Sequence, residues 1–337
     1  MFFEDIWYCV ALASEMSSRP LGRVVCGRPV VLFQTAKSGA LVALEDRCPH
    51  RQAPLSMGRV IGDEIMCGYH GWTMAADGRC VHVPHQETVP QSARVASYPV
   101  AAREGFVWAW LGDPARADPA AIPRMPWLAA ADRSSILSRF HAKASDQLMA
   151  DNLLDVSHAD FLHAGSFGSR AGQRGETDAV RQEMETWETP GAVHSRRVLN
   201  DVALGPMAAA WGGFTEPVTR TTSQNWRPSN TINIELAMEN RENRILINHD
   251  HVMTPETATS CHYFFAFTRD FALDGGYPND ADMRREQETV IRTEDIPMVE
   301  AQQRNRIAFG EPRDVPGRAD RFLIAVHKRI AALRGER

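Results

Sequence analysis

The sequence predicts an α+β protein with two domains, an all-β domain over residues 1–115 and an α+β domain over residues 116–337. Three observations predict it: short apolar runs before residue 112, a proline-rich segment after them, and helical followed by alternating apolar patterns beyond that segment. The 337 residues, 44% of them hydrophobic, are enough to fill two cores.

The first domain is predicted from short apolar runs that Gly, Pro and Asp interrupt. These runs are typical of brief strands in a small all-β unit: GRPVVLF, ALVALED, RCVHVP and GFVWAWLG. The segment LGDPARADPAAIPRMPWL, residues 111–128, then contains four prolines, which exclude a regular helix or a central strand. The domain boundary is therefore placed in this segment.

The second domain is predicted to begin with a helix and to continue as a sheet. DQLMADNLLDVSHADFLHAG, residues 146–165, has apolar residues near helical spacing, and Gly165 can end the helix. TINIELAM alternates apolar and polar residues, and RILINHDHVMT and SCHYFFAFTRDF are further strand candidates. The last 50 or so residues are again helical in pattern, which predicts an antiparallel sheet flanked by helices.

Charge and composition exclude several classes of protein. A formal net charge of −5 and a pI near 6.2 provide no basic surface for nucleic acid. The N-terminus has no basic residue before Arg19, and no apolar run reaches the about 18 residues of a membrane span, so neither secretion nor a membrane is expected. Four cysteines stand alone without the spacing of a disulfide framework, which favours a reducing cytoplasm: Cys9, Cys26, Cys80 and Cys261.

Two cysteines and two histidines form matched pairs in CPHRQAPLSMGRVIGDEIMCGYHGW. Cys48 and His50 are separated by one residue, sixteen residues follow, and Cys67 and His70 are separated by two. Four such ligands suit either a tetrahedral zinc ion or a two-iron cluster, and spacing alone does not choose between them. In a Rieske [2Fe-2S] centre two thiolates bind one iron and two imidazoles bind the other, so each loop would give one ligand to each iron.

The string from Cys48 to Trp72 resembles the Rieske signature. The resemblance implies a [2Fe-2S] cluster bound by Cys48, His50, Cys67 and His70, on loops whose glycines allow close approach of the backbone. The alternatives are a structural zinc site, or core cysteines and surface histidines that bind no metal.

A second pair of histidines lies in DNLLDVSHADFLHAG. His158 and His163 would project about 140° apart on an ideal helix, so one metal ion could bind both only if the helix distorts. Two histidines and a carboxylate form the facial triad of non-haem iron oxygenases, which leaves positions open for O₂. Four acidic residues compete for the third position, and the sequence alone does not choose among them: Asp155, Asp160, Glu294 and Asp295.

Together the two metal motifs resemble the Rieske non-haem iron oxygenases, particularly the vanillate and dicamba O-demethylases. The resemblance covers nearly the whole chain, including IWYCVALASEM, VWAWLGDPARADPAAIP, DNLLDVSHADFLH, TPETATSCHYFF and EDIPMVEAQQR. It implies that His158, His163 and Asp295 bind a mononuclear Fe(II), and that Pro297 marks a helix break just past Asp295 that could turn the carboxylate inward.

The same resemblance implies roles for further residues. The carboxylate of Asp155 would hydrogen-bond His70 of a neighbouring subunit in a homotrimer, so that electrons cross between chains, and Asn152 is a second catalytic candidate. His251 and Asn233 are candidates for contacts to the substrate. No arginine is identified that would bind a substrate carboxylate.

The predicted function is that of the terminal oxygenase component of a multicomponent Rieske monooxygenase. It would use O₂ and NAD(P)H-derived electrons to O-demethylate or hydroxylate a small substituted aromatic acid. No G-x-G-x-x-G follows a strand, and GSFGSRAGQRG lacks a βαβ setting, so a separate flavin and iron-sulfur reductase, a ferredoxin, or both would supply the electrons. The alternatives are another aromatic reaction (ring hydroxylation, N-demethylation or sulfonate oxidation) and a Rieske electron carrier without oxygenase activity.

Overall fold

The computed structural model describes residues 2–169, 182–228, 230–310 and 314–335. The chain forms two compact units. The first comprises residues 1–124 and 254–258, and the second comprises residues 125–253 and 259–337. The division after Arg124 lies within the proline-rich segment, where short 3-10 turns take the place of helices and strands. From residue 170 onward the GSFGSRAGQRG stretch lies outside the described residues.

The first unit is all-β, as the sequence predicts. Its strands are β1 (Trp7–Leu12), β2 (Leu21–Val25), β3 (Arg28–Gln34), β4 (Leu41–Glu45), β5 (Arg59–Ile61), β6 (Glu64–Met66), β7 (Thr73–Met74), β8 (Cys80–His82), β9 (Ser97–Tyr98), β10 (Val100–Arg103) and β11 (Phe106–Trp110). In the part of this unit that is described they form three sheets, with strand orders β1-β11-β10, β2-β3-β4-β9 and β5-β6-β7-β8. Neighbouring strands pair antiparallel throughout these sheets.

The apolar run VVLF in β3 is continuous because both faces of this strand are covered. Val31 and Phe33 belong to one core cluster, and Val30 and Leu32 belong to another, since successive side chains of a strand point to opposite faces. The first of these clusters also contains both cysteines of the metal motif. The loops of that motif are therefore anchored in a hydrophobic core.

The second unit is built on one large sheet. Its strands are β12 (Ser134–Ala142), β13 (Gln182–Thr189), β14 (Ala192–Val202), β15 (Val218–Arg227), β16 (Thr231–Glu239), β17 (Arg244–Thr257) and β18 (Ser260–Arg269). Among the described residues the strand order is β12-β18-β17-β16-β15-β14-β13. The three strand candidates of the sequence are β16, β17 and β18, so the prediction of an antiparallel sheet is confirmed.

The end of β17 and the residue that follows it, residues 254–258, belong to the first unit. The backbone amides of Cys26 and Gly27 donate hydrogen bonds of 2.8 Å to the carbonyls of Pro255 and Glu256. The sequence does not predict this contribution, because it depends on contacts between segments far apart in the chain.

The helix predicted over residues 146–165 is shorter in the structure. Helix α1 (Asp146–Leu154) starts at its N-cap Ser145, whose side chain accepts a hydrogen bond from the Leu148 amide. It ends before Asp155, whose carboxylate accepts hydrogen bonds from the amide and hydroxyl of Ser157 and so competes with helical bonding. A 3-10 helix (Val156–Asp160) follows. The distortion that two histidine ligands require is therefore present.

The other α-helices of the described residues are α2 (Pro206–Gly212), α3 (Asp280–Val290), α4 (Ile296–Phe309) and α5 (Arg321–Arg334). A π-helical turn (Ile291–Asp295) joins α3 to α4, with a backbone bond from the Ile296 amide to the Ile291 carbonyl. Pro297 lies in the first turn of α4, where a missing amide donor is tolerated. The prediction of a helix break past Asp295 is therefore wrong, because the helix continues through the π turn. None of the helices within the described residues is long and apolar enough to span a bilayer.

Candidate active site

The first metal motif occupies two loops of the first unit. Cys48 follows β4 and Cys67 follows β6, and both thiols are buried. The Cys67 amide donates to the Trp72 carbonyl at 2.8 Å, and the Gly71 amide donates to the Cys67 carbonyl at 3.1 Å, which closes the second loop tightly. Burial, and then the neighbouring Cys67, raise the pKa of the Cys48 thiol to about 11, although a bound metal favours the thiolate.

The two histidines of this motif face each other. The His50 and His70 rings are 4.7 Å apart between centroids. The His50 ring stacks on Trp72 at 4.8 Å, and its buried Nδ1 has no hydrogen-bond partner among the described residues. Two adjacent thiols beside two adjacent imidazoles match the ligand set of a Rieske cluster.

Glycines bring the two loops together. A Cβ atom on Gly68 would lie 2.7 Å from the Met57 carbonyl oxygen, and one on Gly58 would lie 2.1 Å from the Met66 carbonyl oxygen. Gly71 has a φ of +75°, which other residues rarely adopt. These positions explain the close backbone approach that the sequence predicts for this motif.

The second metal motif converges on one point of the second unit. The His158 and His163 Nε2 atoms are 3.2 Å apart, and Asp295 Oδ1 lies 3.6 Å and 3.2 Å from them respectively. Asp295 Oδ1 is buried and has no hydrogen-bond partner among the described residues. A metal ion at this point would satisfy all three atoms, and two histidines with one carboxylate are the donor set of non-haem Fe(II).

The other ring nitrogens of these histidines are also engaged. His158 Nδ1 donates to the Asp155 backbone carbonyl. His163 Nδ1 is 2.6 Å from Glu294 Oε2, which also accepts from the Ser166 hydroxyl. Because each Nδ1 atom holds the ring proton in these contacts, the lone pair of each Nε2 atom is available to bind a metal. Glu294 therefore lies behind His163, whereas Asp295 points to the shared centre.

Burial and the nearby carboxylates shift the pKa values of both imidazoles. Burial lowers the pKa of His158 despite the nearby Asp295. Burial also opposes the charged form of His163, but Asp295 and Glu294 together raise its pKa above the usual value. The two carboxylates thus create a site of negative charge that attracts a cation.

Two of the competing acidic residues have other partners. The Asp155 carboxylate caps the 3-10 helix through Ser157. Asp160 lies between Arg197 and Arg220. Asp155 and Asn152 both line an outer groove beside His158, and the buried Oδ1 of Asn152 has no hydrogen-bond partner among the described residues.

A cavity that is partly open to solvent lies beside the three converging groups. Its walls come from one face of the sheet, the 153–167 segment, and α3 with the π turn. The residues on the sheet face are Arg220, Thr222, Ile234, Leu236, His249, His251, Tyr263 and Phe265. Such a mostly apolar pocket with few polar groups is typical of a small-molecule site.

His251 reaches this cavity and Asn233 does not. His251 Nδ1 is 2.7 Å from the Tyr263 hydroxyl, and its buried Nε2 has no hydrogen-bond partner among the described residues. Asn233 is next to Ile234 on β16 and therefore points to the opposite face of the sheet. There its Oδ1 accepts a hydrogen bond from Asn225 Nδ2, and its Nδ2 donates one to Asp250 Oδ1. The structure thus does not support Asn233 as a substrate contact.

Arg220 is a charged cavity residue that the sequence analysis does not single out. It lies on β15, whose residues from Val218 alternate between buried and partly buried positions. Arg220 is therefore at an inward position, on the same face as Thr222. An arginine on the inward side of an alternating strand is the signal that could have found it.

Comparison with known proteins identifies both units. Residues 6–99 match the Rieske [2Fe-2S] domain, and residues 142–336 match the vanillate O-demethylase oxygenase C-terminal domain. This chain belongs to the vanillate O-demethylase oxygenase family. The resemblance inferred from the motifs is confirmed, as is the predicted fold class.

Relatives of this Rieske oxygenase match it over most of its length. Dicamba O-demethylase oxygenase component of Stenotrophomonas maltophilia is 35% identical over 90% of this chain and 89% of the relative. A putative toluene-4-sulfonate monooxygenase system iron-sulfur subunit of Comamonas testosteroni is 34% identical over 96% and 94%. The crystal structure of dicamba monooxygenase bound to 3,6-dichlorosalicylic acid has a TM-score of 0.90 at 31% identity, covering 99% and 98%.

These findings establish the class of enzyme. The chain is the oxygenase component of a Rieske monooxygenase, with a [2Fe-2S] cluster, a mononuclear non-haem iron, O₂ as co-substrate and NAD(P)H as the ultimate electron source. An electron carrier without a second metal centre and a zinc-binding interaction protein are thereby excluded.

Proposed function

We propose that this oxygenase O-demethylates or hydroxylates a substituted aromatic acid of the vanillate or dicamba type. The supporting observation is the cavity, which brings aromatic and polar side chains against the three groups that converge around Asp295. An aryl ring fits walls formed by Tyr263 and Phe265, since aromatic side chains pack favourably against rings.

Seven residues would hold the metals. The cluster ligands are Cys48, His50, Cys67 and His70, and the iron ligands are His158, His163 and Asp295. When bound, the iron supplies the activation of O₂ for attack on a C–H bond. The protein's own part is to hold Nε2 of each histidine toward the metal, through Glu294 and the Asp155 carbonyl, and to exclude water with apolar walls.

Electrons would reach the iron from another copy of the chain. Asp155 would hydrogen-bond His70 of a neighbouring subunit in a homotrimer, with Asn152 beside it. In support, one carboxylate oxygen of Asp155 binds Ser157 and the other accepts no hydrogen bond from a described residue. A flavin and iron-sulfur reductase, a ferredoxin, or both would deliver the electrons in the cytoplasm.

The deciding experiment is a metal and product analysis of anaerobically purified protein. We expect about three irons and two acid-labile sulfides per chain and a Rieske spectrum that bleaches with dithionite. With a reductase, ortho-, meta- and para-methoxybenzoates are then tested for formaldehyde release and oxygen uptake. Full metal content with no formaldehyde from any methoxybenzoate would contradict O-demethylation.

A second candidate is hydroxylation of an aromatic sulfonate, favoured by the likeness to the toluene-4-sulfonate relative. Hydroxylation of a ring methyl group yields an alcohol and no formaldehyde. Product analysis with toluene-4-sulfonate therefore separates this activity from O-demethylation.

A further inference from the structure

Arg220 stands apart from the other residues that line the cavity. Its side chain is buried with 7% of its surface exposed. It is the permanently charged cation of the lining, because a guanidinium does not lose its proton in proteins. A buried charge is costly unless a group of opposite charge compensates it.

The partners of Arg220 within the chain leave it poorly compensated. Among the described residues it is paired with one acidic atom, Asp160 Oδ1 at 3.9 Å, which is too far for a hydrogen bond. Asp160 is shared with Arg197, which lies 3.7 Å from its Oδ2. The Arg220 guanidinium donates no hydrogen bond to any residue that the structure describes. The single carboxylate of Asp160 thus lies beside two guanidinium groups and has to compensate the charge of both.

Two imidazoles on the same wall each have one ring nitrogen that lacks a partner among the described residues. The Nε2 atoms of His249 and His251 are buried and have no hydrogen-bond partner among the described residues. Burial, and then Arg220, lower the pKa of His249 to about 3, and burial lowers that of His251 well below its usual value. Both rings are therefore neutral and can each donate one hydrogen bond without adding charge.

We infer that Arg220 binds the anionic group of the substrate and gives this enzyme its preference for acids, with His249 beside it as a neutral hydrogen-bonding contact. This inference rests on the proposed function. A guanidinium can bind a carboxylate or a sulfonate through two parallel hydrogen bonds. The anion supplies both the charge and the acceptor atoms that the described residues do not provide for Arg220.

The competing explanation is that Arg220 only neutralises Asp160. Arg197 provides the matched control, because it also lies beside Asp160 but is not among the residues that line the cavity. A role toward Asp160 alone would make the two arginines equivalent. A role toward the substrate would make them different.

The test uses the holoenzyme and its Arg220→Gln, Arg220→Lys and Arg197→Gln variants. Binding of meta-methoxybenzoate, meta-methoxybenzenesulfonate and the neutral meta-methoxybenzamide is measured by calorimetry. The Rieske spectrum and the melting temperature report whether each variant is folded. Arg220→Lys retains the positive charge beside Asp160 but not the bidentate geometry. It therefore still tests the inference if Arg220→Gln does not fold.

We expect Arg220→Gln to weaken binding of the acids about 10- to 100-fold and to leave binding of the amide within a factor of about three. The affinity of Arg220→Lys for the acids should lie between those of the wild type and Arg220→Gln, since an ammonium cannot form the bidentate pair. Arg197→Gln should keep the preference for acids. Equal binding of acid and amide by the wild type, or an equal loss in Arg197→Gln, would overturn the inference.

The two proposals can fail separately. If no methoxybenzoate yields formaldehyde but Arg220→Gln still loses binding of the acids, the proposed O-demethylation fails and the inference stands. If formaldehyde is released and Arg220→Gln binds and turns over the acids as the wild type does, the inference fails and the proposed function stands.

Discussion

Glu294 and Asp295 are adjacent in the chain but meet different atoms of the iron site. Glu294 accepts from His163 Nδ1, on the side of the ring away from the centre, whereas Asp295 Oδ1 faces both Nε2 atoms. We expect Asp295→Asn to lose the mononuclear iron and Glu294→Gln to keep it with about 10- to 100-fold lower affinity. Iron per chain at defined Fe(II) concentrations measures this, with the Rieske spectrum as the internal control.

The opposite order in these two variants, with iron lost from Glu294→Gln and retained in Asp295→Asn, would make Glu294 the ligand. The sequence leaves this choice open, because both carboxylates precede the same proline and only the direction of each side chain separates them. That direction is set by the π-helical turn, which changes the angular positions of the residues within it.

At the scale of the element, the 3-10 helix that carries His158 depends on Asp155. Its carboxylate caps this helix, and its carbonyl holds the His158 ring. Asparagine caps helices as well as aspartate does, so Asp155→Asn should keep both metals. Because the variant lacks the negative charge proposed to contact a Rieske histidine, reoxidation of the reduced cluster should slow more than about tenfold. Stopped-flow spectroscopy with substrate and O₂ follows this step.

Two further variants separate the cap from the charge. Ser157→Ala removes the hydroxyl that binds Asp155 but keeps its carboxylate, so cluster reoxidation should be close to wild type. Asp155→Ala removes the cap at a cost of about 1 kcal/mol and should lower iron content as well. Wild-type reoxidation in Asp155→Asn would refute the proposed electron-transfer role.

The elements also show which local features a sequence can reveal. Alternating patterns and apolar runs identify the strands, since the buried face of a strand consists of apolar residues at every second position. The helix over residues 146–165 was extended too far because Asp155 and Ser157 end it through side-chain bonds that periodicity does not register. The π turn has no sequence pattern of its own, so Pro297 alone predicts a helix break at this point.

At the scale of the whole molecule, the metal motifs were easier to predict than the pocket. Cys48 and His70 belong to a local string whose chemistry is nearly unique, whereas the cavity is assembled from three distant segments. Arg220 was missed and Asn233 was misplaced for the same reason. The face that a strand residue presents depends on the register of the whole sheet, and this register is not visible within one strand.

The proposed path of electrons between chains predicts that two inactive variants will restore each other. Cys48→Ser removes the cluster and keeps the iron site, and His158→Ala removes the iron site and keeps the cluster. Each should be inactive alone. If electrons pass from the cluster of one chain to the iron of the next, trimers that contain both variants should show about one third of wild-type activity. Each such trimer has two chains of one variant and one of the other, so one of its three neighbouring pairs joins an iron site to a cluster.

Co-expression with two different affinity tags, followed by purification on both, yields the mixed trimers for this assay. Oxygen uptake coupled to product formation is compared with that of each variant purified alone and of the two mixed only after assembly. Transfer within a single chain predicts no activity in the mixed trimers, since no chain then contains both metals. Activity that appears only on co-assembly requires a cluster and an iron on different chains to act together, and so tests both the assembly and the transfer of electrons between chains.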